Sequence, residues 1–195
     1  MPKIVDHDQY RKELLHQSFD LFAEKGYAIT MRQIAQGLGV STGTLYHYFP
    51  SKESLFEQLV LEVVTQDILR VTDELKLAAN LVERIEMVFW FIEKNQDRCF
   101  KQMLLWMDYS QHQNREGKEC RELEKRLEDK VYSMLGEALG IKDPDLLVLI
   151  SSLIDGLILG KIYSNTPSIS RQGKLLAKMV SAYLQSGLQS GLPPD

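Results

Sequence analysis

Apolar residues recur at spacings of three and four along most of the chain, and period-two alternation is weak throughout, so the pattern predicts an all-α protein. In "YRKELLHQSFDLFAEKGY", Leu15, Phe19 and Phe22 share one helical face, with Leu14, Ser18 and Leu21 beside it. Gly26 supplies a left-handed stop and Tyr27 the apolar residue after it. A second start follows in "TMRQIAQGL", where Thr30 precedes Gln33 by three positions, the spacing of a capping box. Ile34 and Leu38 face inward there, Ala35 keeps the face narrow, and Gly37 costs about 1 kcal/mol relative to alanine. That helix therefore relies on its neighbours. Gly39 ends it, Ser41 caps a third helix through Phe49, and Pro50 stops the third. Ser51 then caps a much longer fourth helix, with Glu53 in its positive first turn and an apolar stripe from Leu55 to Leu75. So long a stripe predicts a connector between two halves. Further helices are expected near 81–94, 97–110, 117–139, 144–164 and 170–188, broken at "KNQD", "SQHQNREGK", "GIKDP" and "SNTPS". No internal repeat or low-complexity tract interrupts this plan.

The second and third helices, joined across "GLGVS", form a helix-turn-helix pattern whose turn needs positive φ at Gly39. On the third helix Leu45 and Phe49 face inward. Thr42 with Tyr46, Gly43 with His47, and Thr44 with Tyr48 make three outward ridges. A major groove admits such a helix and is read through hydrogen bonds and methyl contacts. Threonine offers both, tyrosine and histidine reach phosphates or base edges, and Gly43 lets the backbone come close. The fourth helix begins where this one ends, so its amides, its dipole and Lys52 converge on one phosphate. The bland alternative is a small surface helix packed on its neighbours; the capped helix before and the capped lysine start after favour DNA.

Charge changes that picture little. The 195-residue chain is 44% apolar with a net charge of −4. Residues 1–52 carry six cations against five carboxylates, a balance of +1 that leaves −5 for the remainder. Local sign governs phosphate contact more than the total does, and it permits DNA here. Two cysteines, Cys99 and Cys120, suit a reducing compartment rather than a disulfide scaffold. "MPKIVDHDQY" has no signal-peptide core, and the most lipid-like run, Leu146 to Gly160, is short and interrupted by Ser151, Ser152 and Asp155. A cytoplasmic protein that does not enter a membrane is expected.

Residues of about 10–56 resemble the N-terminal DNA-binding domain of the TetR family of one-component bacterial regulators. The resemblance is carried by "LFAEKGY", "TMRQIA", "LGVSTGTLYHYF" and "SKESLF". It implies a three-helix DNA-binding domain over 1–52, joined by a long connecting helix to an effector-binding and dimerisation domain over 53–195. It also implies a homodimer on palindromic double-stranded DNA, usually a repressor, often released by a small effector. Matched to the family motif, Thr42, Gly43, Thr44 and Tyr46 read bases or nearby backbone. Tyr48 and Lys52 hold phosphates, Thr30 and Arg32 flank the groove, and His47 takes a variable position where some members touch phosphate. Many members carry a basic tail before the first helix; here "KIVDHDQ" is mixed in charge.

In the C-terminal half, Gly156 and Gly160 lie four apart and allow close helix approach. Ala177, Val180, Ser181 and Leu184 mark a second helix, and two such helices from each subunit make a four-helix interface, against an ordinary monomer core as the alternative. Phe89, Trp90, Phe100, Met103, Trp106, Met107 and Tyr109 are apolar walls suited to a hydrophobic or amphipathic effector, or else plain core. Asp155 is a hydrogen-bond partner within the fold or a pocket acid. Nothing points to an enzyme or a cofactor: the glycines at 37, 39 and 43 miss GxGxxG by one residue, and Cys99, Cys120 and His112 lack zinc-ligand spacing. The remaining rival is an architectural DNA-binding protein on the same fold, without an effector.

Overall fold

Asp6 opens the first helix, α1 (His7–Lys25), by accepting the amides of Asp8 and Gln9 through its Oδ1. The computed structural model describes residues 6–117, 121–163 and 167–190. Gly26 ends α1 at φ 73°, and its amide closes on the Phe22 carbonyl. The expected capping box starts α2 (Met31–Gly37), and Gly39 makes the turn at φ 69°. Ser41 caps α3 (Thr42–Tyr48), and after Pro50 comes α4 (Lys52–Leu75). Asn80 caps α5 (Leu81–Lys94), where Glu83 returns a carboxylate oxygen to the Ala79 amide. Then follow α6 (Gln96–Arg115), α7 (Arg121–Leu139), α8 (Pro144–Leu159) with a 3-10 turn (Gly160–Ile162), and α9 (Ile169–Ser190). Every regular element among the described residues is helical, as the apolar spacing predicts.

One boundary differs. The expected break over residues 110–118 is helical as far as Arg115, because Ser, Gln, His and Asn tolerate a helix and the stop is Gly117 at φ 69°. Cys120 and the start expected at 117 lie partly outside the described residues.

Two compact units form. The first comprises the described residues of Met1–Gln66 and Lys101–Glu128, the second those of Asp67–Phe100 and Asp129–Asp195. The core of the first joins Leu14, Phe19 and Phe22 of α1, Ile34 of α2, Leu45 and Phe49 around α3, Phe56 and Leu59 of α4, and Leu105 and Tyr109 of α6. Leu45 and Phe49 are fully buried, so the outward ridges of α3 are fixed by the inward pair.

The second unit is organised by α5 against α9. Gly173 of α9 lies so close to the Phe89 side chain that an added methyl would overlap its Cβ and Cγ and stand 3.1 Å from Cδ1. Close helix approach in the C-terminal half thus occurs at Gly173, whereas open space surrounds Gly156. Phe89 is wholly buried and has no room to retreat. Gly173→Ala should therefore destabilise the chain by about 1–3 kcal/mol despite alanine's better helix propensity, read as a lower urea midpoint. Across the same pair, Ser168 and Ser170 hydroxyls donate to the Glu93 carboxylate, and these bonds hold its pKa below the usual carboxylate range. Among the described residues, no helix is long and apolar enough to cross a membrane.

Candidate nucleic-acid interface

The turn and caps that build the interface are local. Thr30 accepts the Gln33 amide at 3.3 Å, while its own amide and hydroxyl donate to Gln33 Oε1 at 2.9 and 2.8 Å. Thr30 is therefore occupied as a cap; Arg32, the second residue of α2, projects into solvent. Ser41 Oγ accepts the Thr44 amide at 2.9 Å and shares a 2.8 Å hydrogen bond with the Thr44 hydroxyl, which ties that threonine to the start of α3. Gly43, Tyr46 and His47 are exposed, with Tyr46 at 49%, and Thr42 and Thr44 are half-buried. The structure thus collects Thr42, Gly43, Thr44, Tyr46, His47 and Tyr48 on one seven-residue helix with its apolar side turned away.

Tyr48 sits in a ring cluster that sequence reasoning missed. Its hydroxyl shares a 2.8 Å hydrogen bond with His7 Nδ1. The Tyr10 and His47 rings meet it edge-on at 5.6 and 4.9 Å. The only sequence signal was a histidine and a tyrosine one turn apart at the start of α1, inside a segment of mixed charge.

Lys52 departs from expectation. Its ammonium donates to the Tyr27 carbonyl at 2.8 Å and stands 4.2 Å from the centre of the Tyr27 ring. From the start of α4 the long lysine stem lays its ammonium on the carbonyl of the α1–α2 turn, so in this structure the side chain fastens that turn. The Asp108 carboxylate completes the fastening from α6 by accepting the Tyr27 amide at 2.6 Å. Tyr27 is fully buried, with Phe56 at 5.0 Å, Tyr109 at 4.8 Å and His112 at 5.1 Å all edge-on. Burial, followed by the charge of Glu53, pushes its phenol well above the ordinary tyrosine range.

The residues expected to wall an effector site divide between the two units. Phe89, Trp90 and Phe100 belong to the second unit and Met103, Trp106, Met107 and Tyr109 to the first. Phe89 and Tyr109 are core: Phe89 packs on Gly173, and Tyr109 stacks on Phe56 and meets Tyr27 edge-on, so these two are structural. Trp90 is exposed beneath the Lys94 ammonium, Phe100 lies beside Lys161, and Met107 is exposed. A groove of about 570 Å³ in the second unit is lined by Asn80, Leu81, Val82, Glu83, Ser181, Leu184 and Gln185.

The dimer set is also revised. Ala177 and Val180 are buried in the chain's own core and cannot face a partner. Gly160 forms the 3-10 turn, Ser181 is half-buried, and Gly156 and Leu184 are exposed. Among the described residues, the large apolar side chains that α8 and α9 leave in solvent are Val148, Leu149, Leu175, Met179, Tyr183 and Leu184. Their spacing places Leu149 on the same ridge of α8 as Gly156, and Leu175, Met179 and Tyr183 on one ridge of α9. Asp155, beside that ridge, is solvent-accessible, yet crowding by protein raises its carboxyl above the usual range. Solvent screening keeps the energetic consequence modest. In the second unit Cys99 is buried, and burial, with the Asp67 charge, pushes its thiol up to about 11, which leaves it an unreactive thiol.

A capped two-helix motif that turns hydroxyls and rings outward defines a helix-turn-helix module. Residues 14–59 match the family described as bacterial regulatory proteins, tetR family. The transcriptional regulator BetI of Vibrio atlanticus is 32% identical over 170 residues, covering 80% of this chain and 82% of its own length. The transcriptional repressor KstR2 of Mycobacterium tuberculosis is 33% identical over 102 residues, and the match spans about half of each protein, 52% and 51%. A transcriptional regulator of Streptomyces coelicolor A3(2) superposes with a TM-score of 0.66 at 25% identity, covering 87% of this chain and 97% of that one. The chain belongs to the TetR family of bacterial regulators, whose members bind DNA and act as dimers.

Proposed function

We propose that this protein is a sequence-specific, homodimeric transcriptional regulator, a repressor in its DNA-bound state, that α3 seats in the major groove. The observation that carries the reading is α3 itself. Its inward residues, Leu45 and Phe49, are fully buried, while Gly43, Tyr46 and His47 project together into solvent. Residues 1–52 supply DNA recognition. Residues 53–195 supply dimerisation through α8 and α9 and accommodate a hydrophobic or amphipathic effector that releases the DNA. The KstR2 relatives are named as repressors, which supports repression over activation here.

Immunoprecipitation of bound DNA from cells tests the reading. A regulator occupies one or a few short palindromes beside promoters; occupancy of many unrelated sites would identify an architectural protein instead. Within the interface, Tyr46→Ala should relax preference at one base step. Lys52→Met is expected to behave differently from loss of a phosphate contact. It should lower stability by about 1 kcal/mol through the lost Tyr27 carbonyl bond, with the salt slope of DNA binding unchanged. A slope reduced by about one would return Lys52 to the DNA backbone.

A further inference from the structure

His7 is the first residue of α1 and stands 41 positions before Tyr48, yet the two side chains are hydrogen-bonded. The Tyr48 ring is already fixed in orientation, since Tyr10 and His47 meet it edge-on from α1 and α3. His7 lies near both partners of the cluster on α3, 6.4 Å from His47 and 6.0 Å from Tyr48 between ring centres. What the rings leave undetermined is the hydroxyl rotor. A phenol oxygen both donates and accepts, whereas a phosphate oxygen only accepts. The arrangement that serves a phosphate is therefore one in which His7 Nδ1–H donates to the Tyr48 oxygen and the phenol proton points outward.

We infer that His7 is a positioning residue for DNA binding: it donates through Nδ1 to Tyr48, whose hydroxyl donates to a backbone phosphate. The inference rests on the groove-reading function proposed above and adds to it a chain of two hydrogen bonds reaching from the start of α1 through α3 to DNA. The first bond polarises the second and holds the hydroxyl in its productive rotamer before DNA arrives. The role requires an N–H donor at the position of Nδ1, not an imidazole as such. Asparagine, whose amide nitrogen lies close to that position, should replace it; phenylalanine should not.

The experiment is a double-mutant cycle on the full chain, read by fluorescence anisotropy with a mixed-sequence duplex at low ionic strength. Phosphate contacts are independent of sequence, so no operator is needed. Tyr48→Phe should weaken binding about tenfold, as loss of a charge-assisted bond. His7→Phe should weaken it about fivefold in the natural background and leave the Tyr48→Phe chain unchanged. His7→Asn should restore most of the affinity. Both side chains are at least partly solvent-accessible, and a melting curve unchanged by these substitutions separates positioning from folding. Additive losses in the double variant, or failure of asparagine to rescue, would overturn the assignment while DNA binding stands. A natural chain that ignores the duplex would overturn the groove-reading function, and this inference with it.

Discussion

A chain carrying Leu175→Glu and Met179→Glu is expected to sediment as a monomer and to lose about 100-fold or more in affinity for a palindromic duplex. Both residues are more than half exposed, 55% and 60%, one turn apart on α9, with Tyr183 on the turn after them. On the function proposed above, that stripe is the surface that the second copy covers. Carboxylates placed on both copies of a two-fold interface repel and must lose their hydration together, which no local relaxation offsets. The folded subunit does not need either side chain, so helicity and melting of the monomer should be retained. The loss in DNA affinity follows from geometry: two helix-turn-helix motifs on one particle make the second half-site contact intramolecular, and separate subunits forfeit that gain. Ala177→Glu, by contrast, should unfold the second unit, because Ala177 is fully buried. A double variant that remains dimeric would move the interface elsewhere.

The second large effect is expected at Tyr27. Tyr27→Ala should destabilise the first unit by about 3–5 kcal/mol, the range for deleting a buried aromatic side chain. The ring contacts Phe22, Phe56, Tyr109 and His112, and its face carries the Lys52 ammonium. Removing it opens a cavity where α1, α4 and α6 meet and leaves that ammonium without its aromatic face. Tyr27→Phe keeps the ring and loses only the hydroxyl, whose bond from Gln113 is long at 3.4 Å. It should cost about 1 kcal/mol. Denaturant unfolding of both variants checks the contrast. Similar losses for Ala and Phe would mean that the hydroxyl, not the ring stack, holds the turn.

What the sequence revealed and what it concealed follow from the range of the forces involved. The capping box at Thr30 and Gln33, the cap at Ser41, and the positive φ of Gly26 and Gly39 are all settled within four residues, so the end of α1 and the bounds of α2 and α3 were legible almost to the residue. The inward pair Leu45 and Phe49 was legible for the same reason. The direction of Lys52 was not: a start of a helix announces an available cation, but the Tyr27 carbonyl that captures it lies 25 residues away. His7 was hidden likewise, since its partner is Tyr48. In α9 the spacing offers two apolar ridges, Leu176 with Val180 and Leu175 with Met179. Periodicity cannot tell which one meets the chain's own α5 and which one is left in solvent. The aromatic residues of α5 and α6 have the composition of a ligand wall, yet Phe89 and Tyr109 are consumed by Gly173 and by the Tyr27 stack.

The most direct test is a hydroxyl-radical footprint on duplexes selected by the purified protein from a random-sequence pool. Two symmetric protected patches, about 34 Å or one helical turn apart on one side of a palindrome, are predicted, with the pattern lost when Tyr46 and His47 are replaced by alanine. Recovery of no preferred sequence, or protection indifferent to those two residues, would show that the outer side of α3 is not what meets DNA.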